Sequence, residues 1–191
     1  MSVPPARLPT MTDNGTDNVT GDPTDGGSGN DVRLRDVVEA DLEFLLAYEN
    51  DPEAVRRSRF TPRPRDAFMA HWKSRILGDS TVFAQTVTVD TEPAGSIVAW
   101  WEDQQDQQGV GGRGRRFIGY WLGRPYWGRG IGSVALGQFL LRETNRPLHA
   151  DPFAGNTGSV RLLERHGFRR TGTVRHGENE HIMLVLDVER S

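Results

Sequence analysis

The chain has 191 residues, of which 36% are hydrophobic and 26% charged, and this suits one domain with its own core. It contains no cysteine, which excludes disulfides, a thiolate nucleophile and zinc–thiolate sites. The formal net charge of −3 provides no broad basic surface for nucleic acid. No apolar run approaches the roughly 18 residues of a membrane helix. The start lacks the charged-then-apolar pattern of a secretory signal, so we expect a cytoplasmic protein.

The first 31 residues differ in composition from the rest of the chain. Residues 1–31 are rich in Gly, Pro, Thr, Asp and Asn, and they contain few apolar side chains. Such a segment cannot bury enough apolar surface to offset its ordering entropy. We therefore predict a disordered tail over residues 1–31 and one folded domain over residues 32–191.

Hydrophobic periodicity in the remainder predicts alternating strands and helices. The predicted strands are residues 32–35, 81–89, 94–101, 115–122, 148–151, 168–174 and 181–188. The predicted helices are residues 39–50, short turns within 52–65, a helix capped by Asp66 and ending near Leu77, residues 130–143, and residues 156–166. Residues 102–114 are predicted to form a mobile loop. This order, β-α-α-β-β-β-α-β-α-β-β, predicts a mixed α/β sheet.

Three glycines alternate after the fourth predicted strand, at Gly128, Gly130 and Gly132, immediately before a helical pattern. A strand that ends in a glycine-rich turn and opens a helix presents backbone N–H groups to one place. Together with the positive end of the helix dipole, these donors suit a phosphate or pyrophosphate. The sequence therefore predicts an anion site over residues 128–133.

A second motif follows the fifth predicted strand and consists of Asn156-x-x-Ser159 and then Glu164-Arg165-His166-Gly167-Phe168. With Gly128-Arg129-Gly130-Ile131-Gly132, it makes residues 32–188 resemble the GNAT family, the N-acetyltransferases that use acetyl-coenzyme A. The chain looks most like the branch of ribosomal-protein N-terminal acetyltransferases, because Trp127 precedes the glycines in a Tyr-Trp-Gly-x-Gly run. The resemblance implies a mostly antiparallel sheet flanked by helices, with a coenzyme A-binding strand–turn–helix in its middle.

The resemblance also implies which residues bind acetyl-coenzyme A. Leu122 and Gly123 would hold the pantetheine arm and offer a backbone donor to the oxyanion. The other implied contacts are Trp127, Gly128, Arg129, Gly130, Ile131, Gly132, Ser133, Asn156 and Ser159. No metal is expected.

The catalytic residues are less evident, because Leu163 stands where many family members have a tyrosine that protonates the leaving thiolate. Ser159 is the candidate acid, with protonation by solvent as the alternative. Glu102, which ends the third predicted strand, is the first candidate for the base that deprotonates the amine. The further candidates for that base are Asp103, Asp151 and Glu180.

The implied activity is direct transfer of an acetyl group from acetyl-coenzyme A to a primary amine in a ternary complex, by a monomer or homodimer. The acceptor would be a protein N-terminus or a small-molecule amine. Acidic side chains of residues 102–114 and of the helices between residues 52 and 77 would suit a cationic acceptor. An acyl-coenzyme A sensor without transfer activity is the alternative. A dinucleotide-binding oxidoreductase, suggested by the G-x-G-x-x-A spacing of residues 130–135, is a distant one.

Overall fold

The computed structural model describes residues 30–102 and 114–188. Residues 1–29 of the predicted tail and residues 103–113 of the predicted loop lie outside the described residues. The strands are β1 (Val32–Asp36), β2 (Phe83–Val89), β3 (Glu92–Trp101), β4 (Arg116–Leu122), β5 (Leu148–Ala150), β6 (Arg169–His176) and β7 (Asn179–Leu186). The α-helices are α1 (Leu42–Glu49), α2 (Pro52–Ser58), α3 (Arg65–His71), α4 (Ile131–Arg142) and α5 (Thr157–Arg165).

The seven strands form one sheet in the order β1-β2-β3-β4-β5-β7-β6. Among these strands, every neighbouring pair is antiparallel except β4 and β5. A parallel pair requires a crossover connection, and α4 provides it by carrying the chain back to β5. The predicted mixed, mostly antiparallel α/β sheet is therefore confirmed.

The sheet separates two layers of helices, and β4 is buried on both of its faces. Its alternate residues Ile118, Tyr120 and Leu122 share a core cluster with α4 and α5. Phe117 packs with α1 and α3 on the opposite face, and Trp121 packs with α2. In neither described segment is any helix long and apolar enough to cross a membrane.

The start of α3 differs from the prediction, because Asp66 is not its cap. The helix begins at Arg65, Pro64 occupies the cap position, and a π-helical turn over Trp72–Ile76 continues the helix. Pro64 fits this position because it has no backbone N–H to satisfy. Asp66 lies in the first turn, where a carboxylate still suits the helix dipole.

Candidate active site

β4 and β5 pair over only two residues and then separate. The parallel register joins residues 116–117 of β4 to residues 148–149 of β5. β5 ends at Ala150, whereas β4 continues to Leu122 and remains paired with β3 along its other edge. We call the resulting opening beside the second half of β4 the β4–β5 gap.

The hydrogen bonds of β4 show which backbone groups face the β4–β5 gap. Gly123 donates its N–H to the carbonyl oxygen of Ala94 at 2.8 Å, so its backbone points toward β3. Because bonded and non-bonded positions alternate along an antiparallel pair, Leu122 and Tyr120 point their backbone groups the other way. The Leu122 carbonyl accepts a bond of 2.8 Å from the Trp127 indole, in agreement with this direction. Of the two predicted oxyanion donors, Leu122 faces the gap and Gly123 does not.

The turn after β4 has the backbone conformation for which glycine is suited. Gly128 and Gly130 have φ angles of 69° and 73°, in the left-handed region. Gly130 is the N-cap of α4, so the first amides of that helix open beside it. A Cβ atom on Gly130 would meet no atom within 4 Å, which means that packing does not require the glycine. The turn and the N-terminal end of α4 are open to an anion approaching from outside.

The two sequence motifs contact each other through Ser133 and His166. Ser133 Oγ lies 3.0 Å from His166 Nε2. Burial lowers the pKa of His166, although the bond with Ser133 opposes this effect. A neutral ring can therefore bond the hydroxyl at neutral pH and fix the end of α5 to the start of α4.

Ser159 is fully buried, and its hydroxyl bonds to a residue that sequence reasoning missed. The Tyr120 hydroxyl oxygen lies 2.6 Å from Ser159 Oγ and connects β4 to α5. The N–H of Ser159 donates to Asn156 Oδ1 at 3.2 Å, so that Asn156 caps α5. In the sequence Tyr120 is one of several aromatics in an apolar strand, and only the register of the sheet places its hydroxyl here.

The prediction that Glu102 lies beside the thioester is wrong. β3 and β4 are antiparallel, so the end of β3 meets the beginning of β4. Leu122 is at the other end of β4, roughly 20 Å away for a strand that rises about 3.3 Å per residue. Glu102 instead forms an ion pair of 2.8 Å with Arg115.

Of the other predicted carboxylates, the two that the structure describes lie in different settings. Asp103 lies outside the described residues, and Glu180 is exposed on β7. Asp151 follows β5 at the edge of the β4–β5 gap, where one of its oxygens lies 2.7 Å from His176 Nε2.

A buried carboxylate that the sequence did not single out lies over β4. Glu49 ends α1, is 4% exposed, and lines a cavity of about 10 Å³ with Ser96, Gly119 and Trp121. This Glu49 cavity has room for about one water molecule. Burial raises the pKa of Glu49, although Arg63 opposes it with a guanidinium nitrogen 3.3 Å away.

A larger cavity, of about 350 Å³, opens between α2 and the start of α5. We call it the arginine-lined cavity, and its lining residues are Arg56, Arg57, Arg59, Phe153, Gly155, Asn156 and Thr157. The Arg57 guanidinium lies 4.9 Å from the centre of the Trp127 ring, so α2 approaches the glycine turn. The expectation of acidic side chains from this part of the chain is wrong for α2, whose Glu53 is bonded to Arg56 and Arg57.

Comparison with known proteins shows one family. Residues 31–169 match a family model described as the acetyltransferase (GNAT) domain. The uncharacterized N-acetyltransferase p20 of Bacillus licheniformis is 29% identical over 164 residues, which cover 81% of this chain and 88% of that protein.

Solved structures share the fold. The aminoglycoside acetyltransferase AAC(6')-Ib in complex with coenzyme A has a TM-score of 0.65 at 21% identity, covering 82% of this chain and 94% of that one. An N-acetyltransferase from Staphylococcus aureus Mu50 has a TM-score of 0.66 at 17% identity, covering 82% and 98%. At these identities the likeness is one of fold.

Proposed function

Because this chain belongs to the GNAT family of acetyltransferases, we propose that it moves an acetyl group from acetyl-coenzyme A to a primary amine. The observation that carries the proposal is the β4–β5 gap, which leads directly into a glycine turn at the start of a helix. The pantetheine arm would bond to the backbone of Leu122 along the gap. The pyrophosphate would bind at residues 128–133. We assign the activity to residues 32–191 as one domain.

The coenzyme half of the reaction would use Leu122 and the Tyr120–Ser159 pair. In the ternary complex the amine nitrogen attacks the thioester carbon, and the Leu122 N–H would stabilise the oxyanion that forms. The carbon–sulfur bond then breaks and releases the thiolate of coenzyme A. A phenol is a stronger acid than an aliphatic hydroxyl, so Tyr120 would supply the thiolate's proton through Ser159, at the 2.6 Å contact between them.

The acceptor half needs a base, and Glu49 is the residue we propose for it. The Glu49 cavity can hold one water molecule, which would carry the proton from the amine to the carboxylate. Burial raises the pKa of Glu49, and a carboxylate of raised pKa is a stronger base. Its position over Gly119 and Trp121 puts it on the face of β4 opposite the Tyr120 side chain. Base and acid would therefore act from opposite faces of the sheet.

The charge of the arginine-lined cavity bears on the acceptor. One of the solved structures holds coenzyme A and kanamycin, an aminoglycoside. Three arginines, Arg56, Arg57 and Arg59, face the single Glu53 here and leave the cavity net positive. We propose that the acceptor enters by this cavity, where the ammonium groups of such a compound would be repelled. We therefore propose an acceptor whose amine has a carbonyl or carboxylate nearby, such as a protein N-terminus or an amino-acid derivative. This acceptor agrees with the resemblance to the ribosomal-protein N-terminal acetyltransferase branch.

One assay tests the activity and the class of acceptor together. Acetyl-coenzyme A is mixed with matched amines (a peptide with an unblocked N-terminus, an amino acid and its decarboxylated amine, and kanamycin), and thiol release is measured. We expect turnover with the peptide and the amino acid, and little with the decarboxylated amine or kanamycin. Coenzyme binding without turnover on any amine would favour a sensor, and preference for kanamycin would contradict the proposed acceptor.

The base is tested with Glu49→Gln against Glu43→Gln, which changes an exposed carboxylate on the same helix. We expect Glu49→Gln to lower kcat about 100-fold. The affinity for coenzyme A should remain unchanged, because no residue of the glycine turn lines the Glu49 cavity. Equal rates for the two variants, with both folded by circular dichroism, would remove Glu49 from the mechanism.

A further inference from the structure

Three side chains with metal-binding atoms meet at the end of the sheet beyond β5. Asp151 follows β5, His176 ends β6, and His181 lies in β7. One potential ligand atom from each lies within 4.8 Å of the other two. The two imidazole rings are 4.6 Å apart between centres and nearly perpendicular, at 73°.

One hydrogen bond of His181 fixes the tautomer of its neutral ring. His181 Nδ1 lies 2.7 Å from the carbonyl oxygen of Asp151, and only a protonated nitrogen can donate to a carbonyl. The lone pair is then on Nε2. Histidines that bind metals commonly donate their second nitrogen to a backbone carbonyl or a carboxylate in this way, which fixes the tautomer and the ring orientation.

The backbone holds two of these side chains in fixed relation. Ile182 donates its N–H to the carbonyl of Pro152 at 2.9 Å, and Ala154 donates to the carbonyl of Glu180 at 2.9 Å. These bonds join the segment after Asp151 to the beginning of β7. The ligand atoms of Asp151 and His181 are therefore placed by paired backbone and not by loose loops.

We infer that Asp151, His176 and His181 bind one divalent transition-metal ion of the zinc class. Two imidazoles and one carboxylate suit Zn²⁺, Co²⁺ or Ni²⁺, whereas Mg²⁺ and Ca²⁺ prefer oxygen ligands. Three protein ligands leave a coordination position open to water or a small anion. The site goes beyond acetyl transfer and shares no residue with the proposed chemistry or coenzyme contacts.

The ion requires only a small adjustment of the cluster. Asp151 Oδ2 and His176 Nε2 are 2.7 Å apart, and two ligands of a tetrahedral zinc ion are about 3.3 Å apart. The His176 side chain is 33% exposed, against 11% for Asp151, so the histidine has room to rotate. In the metal-bound site, His176 and Asp151 would exchange their mutual contact for bonds to the ion.

The test is titration of Co²⁺ into the full chain, without a histidine tag and after treatment with a chelator. We expect one equivalent to bind with micromolar or tighter affinity, to give visible absorption of a four- or five-coordinate ion, and to be displaced by Zn²⁺. His176→Ala, His181→Ala and Asp151→Asn should each weaken binding by about 100-fold or more. His166→Ala removes a histidine from the other side of the sheet and should leave Co²⁺ binding unchanged.

Folding and binding are separated by measuring Tm with and without Zn²⁺, which should raise the Tm of the parent but not of the cluster variants. No Co²⁺ binding at millimolar metal, or binding that all three cluster variants retain, would overturn the site. Coenzyme A affinity is measured on the same parent protein. If the parent does not bind coenzyme A, that result counts against the proposed function and leaves the metal site unaffected.

Discussion

The two ends of β4 differ in how they are held. At the Arg116 end the strand is paired on both sides, and Arg116 forms a buried ion pair of 2.6 Å with Glu143. At the Leu122 end the strand is paired with β3 alone and runs into a glycine turn. The first end uses its polar groups within the protein, whereas the second leaves the Leu122 N–H facing the β4–β5 gap. The paired, rigid end of the strand can therefore hold the open end in place.

Helix α4 also has one fixed end and one open end. Glu143 follows its last residue and is fixed by Arg116, whereas its first residue follows the glycine turn. Arg116 also donates to the carbonyl of Thr81 at 2.7 Å, so the guanidinium joins three segments. Burial by itself would raise the pKa of Glu143, but bonds from Arg116 and Asn145 lower it overall. The carboxylate is therefore charged at neutral pH, and it fixes the end of α4 opposite the proposed pyrophosphate site.

Glu143→Gln removes the buried ion pair at the fixed end of β4 and should have the largest effect on stability. It leaves the buried Arg116 charge without its partner, which costs about 3–5 kcal/mol in the free energy of unfolding. Urea denaturation measures the loss. Glu102→Gln, which breaks the more exposed pair with Arg115 at the same end, should cost at most about 1 kcal/mol. Equal losses for the two variants would mean that the buried pair does not hold this end.

Gly130→Val alters the glycine turn at the open end of β4. It should weaken coenzyme A binding about 100-fold, which corresponds to about 2.7 kcal/mol of binding free energy. A β-branched residue is strained at a φ of 73°, and its side chain would enter the open space where we place the pyrophosphate. Isothermal titration measures the affinity. Gly137→Ala in the same helix is the control, because a Cβ there stands at an ordinary 3.4 Å from His166. Unchanged affinity in Gly130→Val would refute the proposed anion site.

The sequence predicted best what depends on residues close together in the chain. The glycine turn and the Asn156 cap involve contacts over three or four residues, so their patterns are visible without a fold. The strands and helices follow periodicity for the same reason. Glu49 was within reach of this reasoning, since it lies four and seven residues after Leu45 and Leu42 and so shares their buried helical face.

What the sequence could not show depends on the direction and register of strands. Glu102 was placed by its position at the end of a strand, but the antiparallel pairing carries that end away from Leu122. The contact between Tyr120 and Ser159 joins residues 39 positions apart. The cluster of Asp151 with two histidines forms only because the segment after β5 pairs with β7. Spacing along the chain carries no information of this kind.

The Tyr120–Ser159 pair is a buried polar contact at the open end of β4. Tyr120→Phe and Ser159→Ala should each cost about 1–3 kcal/mol in stability, since each removes the buried bond between the two hydroxyls. The double variant should cost less than the sum of the two, and this coupling is measured by urea denaturation of all four proteins. If the pair also protonates the thiolate, each single variant lowers kcat while coenzyme A affinity holds. Additive losses would mean that the hydroxyls do not interact.

The smallest effect is the pH dependence of stability that comes from His71, which lies on α3 in the helical layer packed against β4. The ring has a buried Nε2 without a hydrogen-bond partner among the described residues. Burial, aided by Arg63 and Arg75, lowers the pKa of His71 from 6.5 to about 4. Between these values the unfolded chain binds more protons than the folded one, so stability falls as the pH falls from 6.5 to 4.

His71→Leu should remove that part of the dependence, which we place at about 1–2 kcal/mol because the ring is only partly buried. The measurement is the free energy of unfolding of parent and variant at several pH values. The difference between the two proteins isolates His71, since the raised pKa of Glu49 contributes with the opposite sign to both. Stability of the parent should decline more steeply on acidification, and parallel curves would show that His71 is solvated and titrates normally.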